Sequence, residues 1–377
     1  VVMATPAAGF AAPPAWGAAA PPRHLVDLEA LVGPRAHDAR PALRPLGMAP
    51  RDPESDPKWP WTEEVFKELE TRLKARGGYS NAVVYKASET VAIKAIEANT
   101  MSRHKQAEKE IRALRTFGGG DIVSVRSFAA GGGKLLGFSE PAANPTNFYI
   151  AMEAANGDLL DEVLSKDVDV VPFDVKLRMI IEILRGLSKL EKAGWVHRNI
   201  KPRNILVFGD CAGPGGCHVK VGDLGYAVPV DRLRWKEDPH IPRLVGSPMY
   251  IAPETWTGRA SQSKADVWAV GMIAFQLFTG GRTPQCFHDE RMLNPWNLAE
   301  NPLRHYVPEE FDITADPAFQ ELEAQDRKLA ALVKVMLIKR PWRRPGATRA
   351  MKLAMRIAKA RGVQGPEPLV DEVVMSD

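Results

Sequence analysis

Short β-branched runs come first along this chain, and helical periods follow. Residues 82–86 (Ala-Val-Val-Tyr-Lys) and 90–94 (Thr-Val-Ala-Ile-Lys) have the composition of paired strands, and the turn between them suits a hairpin. Residues 104–117 repeat apolar side chains at helical spacing, with Ile111, Leu114 and Phe117 on one side. Strands are predicted over 122–128 and 148–152, separated by a Gly/Pro/Asn-rich insertion at 129–147. Beyond Gly157 the helical pattern dominates, over 159–164, 175–193, 263–278, 328–338 and 347–360. A small sheet lobe followed by a larger helical lobe is an α+β plan. Residues 61–76 read as a further helix ahead of the first strand, and no internal repeat is visible.

Composition sets the outer limits. Residues 1–57 are punctuated by proline without a sustained period and read as an Ala/Pro-rich, mostly unfolded arm. The folded part is placed at 58–361, with the sheet lobe to about 153 and the helical lobe from about 157, and 362–377 form an acidic tail. A net charge of +4 over 377 residues is too small to call for nucleic acid. Three cysteines (Cys211, Cys217 and Cys286) are too few for a disulfide framework. Cys211 and Cys217 are therefore expected as free thiols in a loop, in a reducing compartment. No apolar run reaches the roughly 18 residues of a membrane span, so a soluble intracellular protein is expected.

The most informative stretch is 196–206, Val-His-Arg-Asn-Ile-Lys-Pro-Arg-Asn-Ile-Leu. It resembles the protein-kinase catalytic loop, H-R-D-x-K-x-x-N, with Asn199 at the place of the catalytic aspartate. The resemblance runs in order over some 270 residues. Val91-Ala92-Ile93-Lys94 is similar to the strand that supplies the phosphate-binding lysine. Glu110, in preference to Glu108, sits where the family places that lysine's carboxylate partner. Gly77 and Gly78 fall at the glycine-rich loop. With Tyr79 at the loop tip, Gly77 holds the central position; a register two residues later would put Tyr79 there instead. Met152, Glu153 and Ala155 match the hinge that meets adenine, and Ala82, Ala92 and Leu206 match the residues that enclose its ring. Asp223 in Gly-Asp-Leu-Gly and Asn204 match the two magnesium ligands, and oxygen donors are what magnesium takes. Ala252-Pro253-Glu254, Asp266 and Arg344 resemble the family's structural signatures.

The resemblance implies ATP and Mg2+ as cofactors and phosphate transfer to Ser or Thr as the ancestral chemistry, given Lys201 and Arg198 beside Asn199. An amide oxygen accepts a hydrogen bond but not a substrate proton, so transfer is expected to be impaired or absent. Between Gly225 and Ala252 the hydroxyl side chains are Tyr226, Ser247 and Tyr250 alone, which leaves no ordinary activation-loop Ser/Thr to pair with Arg198. Two readings stand. One is a pseudokinase that binds nucleotide and other proteins; the alternative is a slow or unconventional Ser/Thr kinase that tolerates Asn199. Transfer of another group, such as a nucleotidyl unit, is a third. Residues 327–361 carry many cations and no carboxylate, which suits an acidic protein or an anionic surface as partner.

Overall fold

In the computed structural model, which describes residues 63–75, 82–130, 134–135, 147–233, 248–256, 263–285 and 311–363, the early alternating runs pair into one antiparallel sheet. Its strands are β1 (Ala82–Lys86), β2 (Val91–Glu97), β3 (Val125–Ala130), β4 (Lys134–Leu135) and β5 (Asn147–Glu153), in the order β1-β2-β5-β3-β4. The expected third strand begins three residues late. Ile122 and Val123 are spent instead on a bridge to Val221, where Val123 N–H donates to Val221 O at 3.0 Å.

Period-2 alternation along β2 decides what each side chain meets. Val91, Ile93 and Ala95 turn to one face with Leu69 of α1 (Glu63–Ala75), Tyr149 and Ala151. Phe66 of the same helix packs edge-on against Tyr149, with ring centroids 5.1 Å apart. Ala92 and Ile96 turn to the other face, under α2 (Met101–Phe117), and so does Lys94. Thr100 caps α2, its side chain accepting from Arg103 N–H, and the buried face of the helix carries Ala107, Ile111, Leu114 and Phe117 together with Glu110. Each fully buried Leu, Ile or Phe contributes roughly 1.5–3 kcal/mol. That is enough for the apolar neighbours to hold one buried carboxylate on this face.

The core continues into the helical lobe through α3 (Phe173–Lys192), the short α4 (Pro253–Trp256), α5 (Ser263–Phe278), α6 (Pro317–Gln325), α7 (Arg327–Met336) and α8 (Ala347–Ala360). Each helix period read between 175 and 360 recurs here within two residues at either end; α6 was not read. The segment 159–164 is a single wide helical turn, Leu160–Leu164, whose first amides bond to the Asp158 carboxylate. Arg344, only 1% exposed, makes two bonds to Glu254 at 2.7 and 3.0 Å, which ties the start of α4 to the loop before α8.

Two small sheets complete the lobe. β6 (Gly157–Asp158), β8 (Ile205–Gly209) and β9 (Cys217–Val221) form one; β7 (Trp195–Val196) and β10 (Val228–Pro229) form the other. The β8–β9 hairpin corrects the expectation of free thiols in a loop. Antiparallel pairing puts Gly209 opposite Cys217, and the chain beyond Gly209 turns back so that Cys211 forms a disulfide with Cys217. The arm at 1–57, the glycine loop, the Ser247 region and Cys286 lie outside the described residues, as does the acidic tail from residue 364.

Candidate nucleotide and phosphotransfer site

The loop carrying Asn199 is held from below. Asp266, in the first turn of α5, accepts from the backbone N–H of both His197 and Arg198, each at 2.8 Å. These bonds permit Arg198 a left-handed backbone (φ 73°), which costs a non-glycine residue of order 1–3 kcal/mol. His197 Nδ1 accepts from Asn199 N–H at 3.3 Å. That fixes the proton on Nε2, which donates to Gly222 O at 3.0 Å. Asn204 Nδ2 donates to the Asn199 carbonyl at 2.7 Å, and Gly222 N–H donates to the Asn204 carbonyl at 2.8 Å. The start of β8 and the end of β9 are thereby locked to the loop. Asp223 follows at once, also left-handed (φ 56°).

Above it lies the end of the half-buried Lys94 side chain. Its ammonium reaches Glu110 at 2.6 Å and Asp223 at 2.9 Å, joining β2, α2 and the turn just past β9 through one cation. Glu108 is one turn-fraction away and pairs with His104 instead, at 3.4 Å. The electrostatics follow from this crowding. Burial works against the charge on Lys94, but Asp223 and Glu110 outweigh it and raise its pKa. Burial likewise opposes ionisation of Asp223, yet the Lys94 ammonium and its hydrogen bond, with His197 and Lys201, hold that carboxyl at about 2. Glu110 is raised, first by burial and against the pull of Lys94. Burial lowers Lys201, with Asp223 pulling the other way. Burial also brings Arg198 down to about 10.

The Asn199 side chain meets Asp223. Its Nδ2 lies 3.2 Å from Asp223 Oδ2, and the amide must turn its N–H to that oxygen because its own oxygen would oppose a second acceptor. At the hinge, the N–H groups of Glu153, Ala154 and Asn156 are bonded to Ser124 O, Thr90 O and Val207 O at 3.1, 3.0 and 2.8 Å. The N–H of Ala155 makes no backbone bond among the described residues. Glu153 turns its carboxylate back to Lys220 at 2.7 Å and to Ser124 N–H at 2.6 Å. Ala92 and Met152 are buried in one apolar cluster, with Ala82, Ala154 and Leu206 packed against it. The structure thus brings together Lys94, Glu110, Asn199, Asn204 and Asp223, with Lys201 in electrostatic reach. Gly77 and Gly78 lie outside the described residues.

Three supports escaped the sequence reading. Lys220 clamps the hinge glutamate, Arg185 forms a buried pair with Asp121, and Glu182 accepts from Val219 N–H of β9 at 2.8 Å. Each joins residues 37 or more positions apart, so no local pattern marks it.

Magnesium fits the donors present. Among the described residues no group of three or more His, Cys, Asp or Glu is placed to hold a metal. An ion shared with phosphate needs only one or two protein oxygens. Asn204 spends its Nδ2 on the Asn199 carbonyl, which leaves Oδ1 as an acceptor, and Asp223 supplies the carboxylate. In the helical lobe, Arg349, Lys352, Arg356 and Lys359 follow one exposed face of α8 at steps of three and four.

A sheet lysine paired to a helix glutamate, above a loop offering amide and carboxylate oxygens, defines a phosphate-handling cleft of the kinase type. The protein kinase domain model matches residues 75–354, so the chain belongs to the protein kinase family. Relatives include serine/threonine-protein kinase unc-51 of Caenorhabditis elegans, 30% identical over 61% of this chain and 26% of that protein. CBL-interacting protein kinase 4 of Oryza sativa is 30% identical over 55% and 43%, and human serine/threonine-protein kinase ULK1 is 30% identical over 58% and 20%. The chain spans less than half the length of each. No helix among the described residues is long and apolar enough to cross a membrane.

Proposed function

We propose that this chain binds ATP in the cleft between sheet and helices and transfers its phosphate to Ser or Thr slowly or not at all, acting mainly as a nucleotide-responsive module that binds other proteins. The observation that carries the reading is Asn199. Its side chain ends in an amide whose N–H is given to Asp223, leaving no carboxylate at that position to take a hydroxyl proton. A positioned general base contributes about 10²–10⁴-fold, so its loss slows transfer without forbidding it.

The remaining groups retain their tasks. Lys94, steadied by Glu110, offers a cation to phosphate oxygens, and Ala155 N–H is the hinge donor left for adenine. Asn204 Oδ1 and Asp223 would hold magnesium, which when bound neutralises charge developing on the phosphates. Lys201 stands near the position where a transferred group would carry negative charge. The exposed cations of α8 suit an acidic partner, a contact that raised salt would weaken. A second reading, a slow but genuine kinase, draws on the intact Lys94–Glu110 pair at 2.6 Å, which an abandoned cleft has no need to keep.

Thermal unfolding with ATP and magnesium tests the binding half. Ligand at a hundred times its Kd stabilises by about 2.7 kcal/mol, which corresponds to a rise of about 5 °C. The rise should disappear in Lys94→Met. An unchanged melting temperature in the wild-type protein would show that the cleft takes no nucleotide.

A further inference from the structure

We propose that Asn199 is a positioning residue for Asp223, and that its amide relieves nucleotide binding of a strict need for a divalent cation. The inference rests on the nucleotide-binding reading above and concerns how the charges of that same cleft are balanced.

Both oxygens of the Asp223 carboxylate are already engaged by protein donors. Lys94 Nζ holds Oδ1 at 2.9 Å and Asn199 Nδ2 holds Oδ2 at 3.2 Å. Asn199 is itself fixed, since its N–H donates to His197 Nδ1 and its carbonyl accepts from Asn204 Nδ2. The amide is therefore a neutral prop for a carboxylate that stands on a left-handed residue. An aspartate of the same shape at this position would set two carboxylates about 3 Å apart, and such a pair requires a cation between them or a proton on one. Among the described residues, Lys94 bridges Glu110 and Asp223, Lys201 also faces Asp223, and Arg203 is paired with Asp158 and Asp161 beside it. The protein's own side chains therefore need no metal to relieve repulsion among them, which leaves only the triphosphate's charge for a divalent cation to offset. Magnesium held by Asn204 and Asp223 would still offset phosphate charge, but it would have no carboxylate repulsion to relieve.

The test measures ATP affinity in excess magnesium and in EDTA for the wild-type protein, Asn199→Asp and Asn199→Ala, together with melting temperatures with and without magnesium alone. The wild type should lose no more than about five-fold in affinity in EDTA, whereas Asn199→Asp should lose about fifty-fold or more. Asn199→Asp without metal should melt lower and be restored by magnesium alone, a response that the wild type and Asn199→Ala lack. Asn199→Ala removes the prop without adding charge. It should bind ATP more weakly in EDTA than the wild type while gaining little of the metal dependence of the aspartate variant. Equal metal dependence in the wild type and Asn199→Asp would overturn the proposal. If no variant binds ATP in either condition, the nucleotide reading fails. The positioning role is then decided by the melting temperatures: magnesium stabilising only Asn199→Asp supports it, and an equal response contradicts it.

Discussion

Glu182 on α3 shows what a single buried carboxyl does to this fold. It is 4% exposed, and burial pushes its pKa up to about 7, against the bond it accepts from Val219 N–H. In the unfolded chain the same group titrates near its ordinary 4.5. Between these values the folded protein holds the proton that the unfolded chain has released, so stability falls as pH rises from about 4.5 through about 7. Asn and Gln equivalents keep an acceptor without the charge. Glu182→Gln is therefore expected to be more stable than wild type at pH 8, on the order of 2 kcal/mol, with the gain vanishing near pH 4.5. Denaturant melts at the two pH values check this, and a gain that does not vary with pH would contradict it. No pattern in the sequence singles out Glu182, because its neighbours on α3 are an ordinary amphipathic repeat. Asn199, by contrast, was legible from sequence because it breaks a long ordered motif at one position. What the motif did not reveal is where its amide points.

At the scale of elements, legibility followed the length of the period. β2, α3, α5 and α8 are long and regular, and their ends were placed within three residues. The β8–β9 hairpin was missed even though 217–221 alternate cleanly, with Cys217, Val219 and Val221 buried and His218 exposed. Five residues are few for a period, and Gly-Pro-Gly-Gly between the cysteines reads as loop. Yet this hairpin carries Asn204 before its first strand and Asp223 after its second. The loop at its turn is closed by the Cys211–Cys217 disulfide, across a separation of six residues. A ring of that size stabilises by about 2 kcal/mol on chain-entropy grounds. Reduction, or Cys211→Ser, should therefore lower the melting temperature by about 4 °C. Alkylation of the unreduced, unfolded protein should modify one cysteine of the three. Three reactive thiols, with no change of melting temperature on reduction, would show that the bridge does not form.

For the molecule as a whole, the α+β plan and the family were legible because a long series of motifs recurs in order, and order over many residues is hard to meet by accident. The contacts that hold the series together were less so. Arg344 to Glu254 bridges 90 positions and Lys94 to Asp223 bridges 129, and pairing at such range is set by the packing of the lobes rather than by local pattern. The kinase fold holds Lys94 paired to Glu110 and Asp223, and we propose that Asn204 and Asp223 take the metal while the Asn199 amide stands in place of a proton acceptor. The most direct test is the rate at which labelled γ-phosphate passes from magnesium ATP to a Ser/Thr peptide library, compared between the wild-type protein and Asn199→Asp. Restoring the carboxylate should speed transfer by about 10²-fold or more. Equal rates in the two proteins, whether both fast or both nil, would contradict the claim that Asn199 sets the activity of this chain.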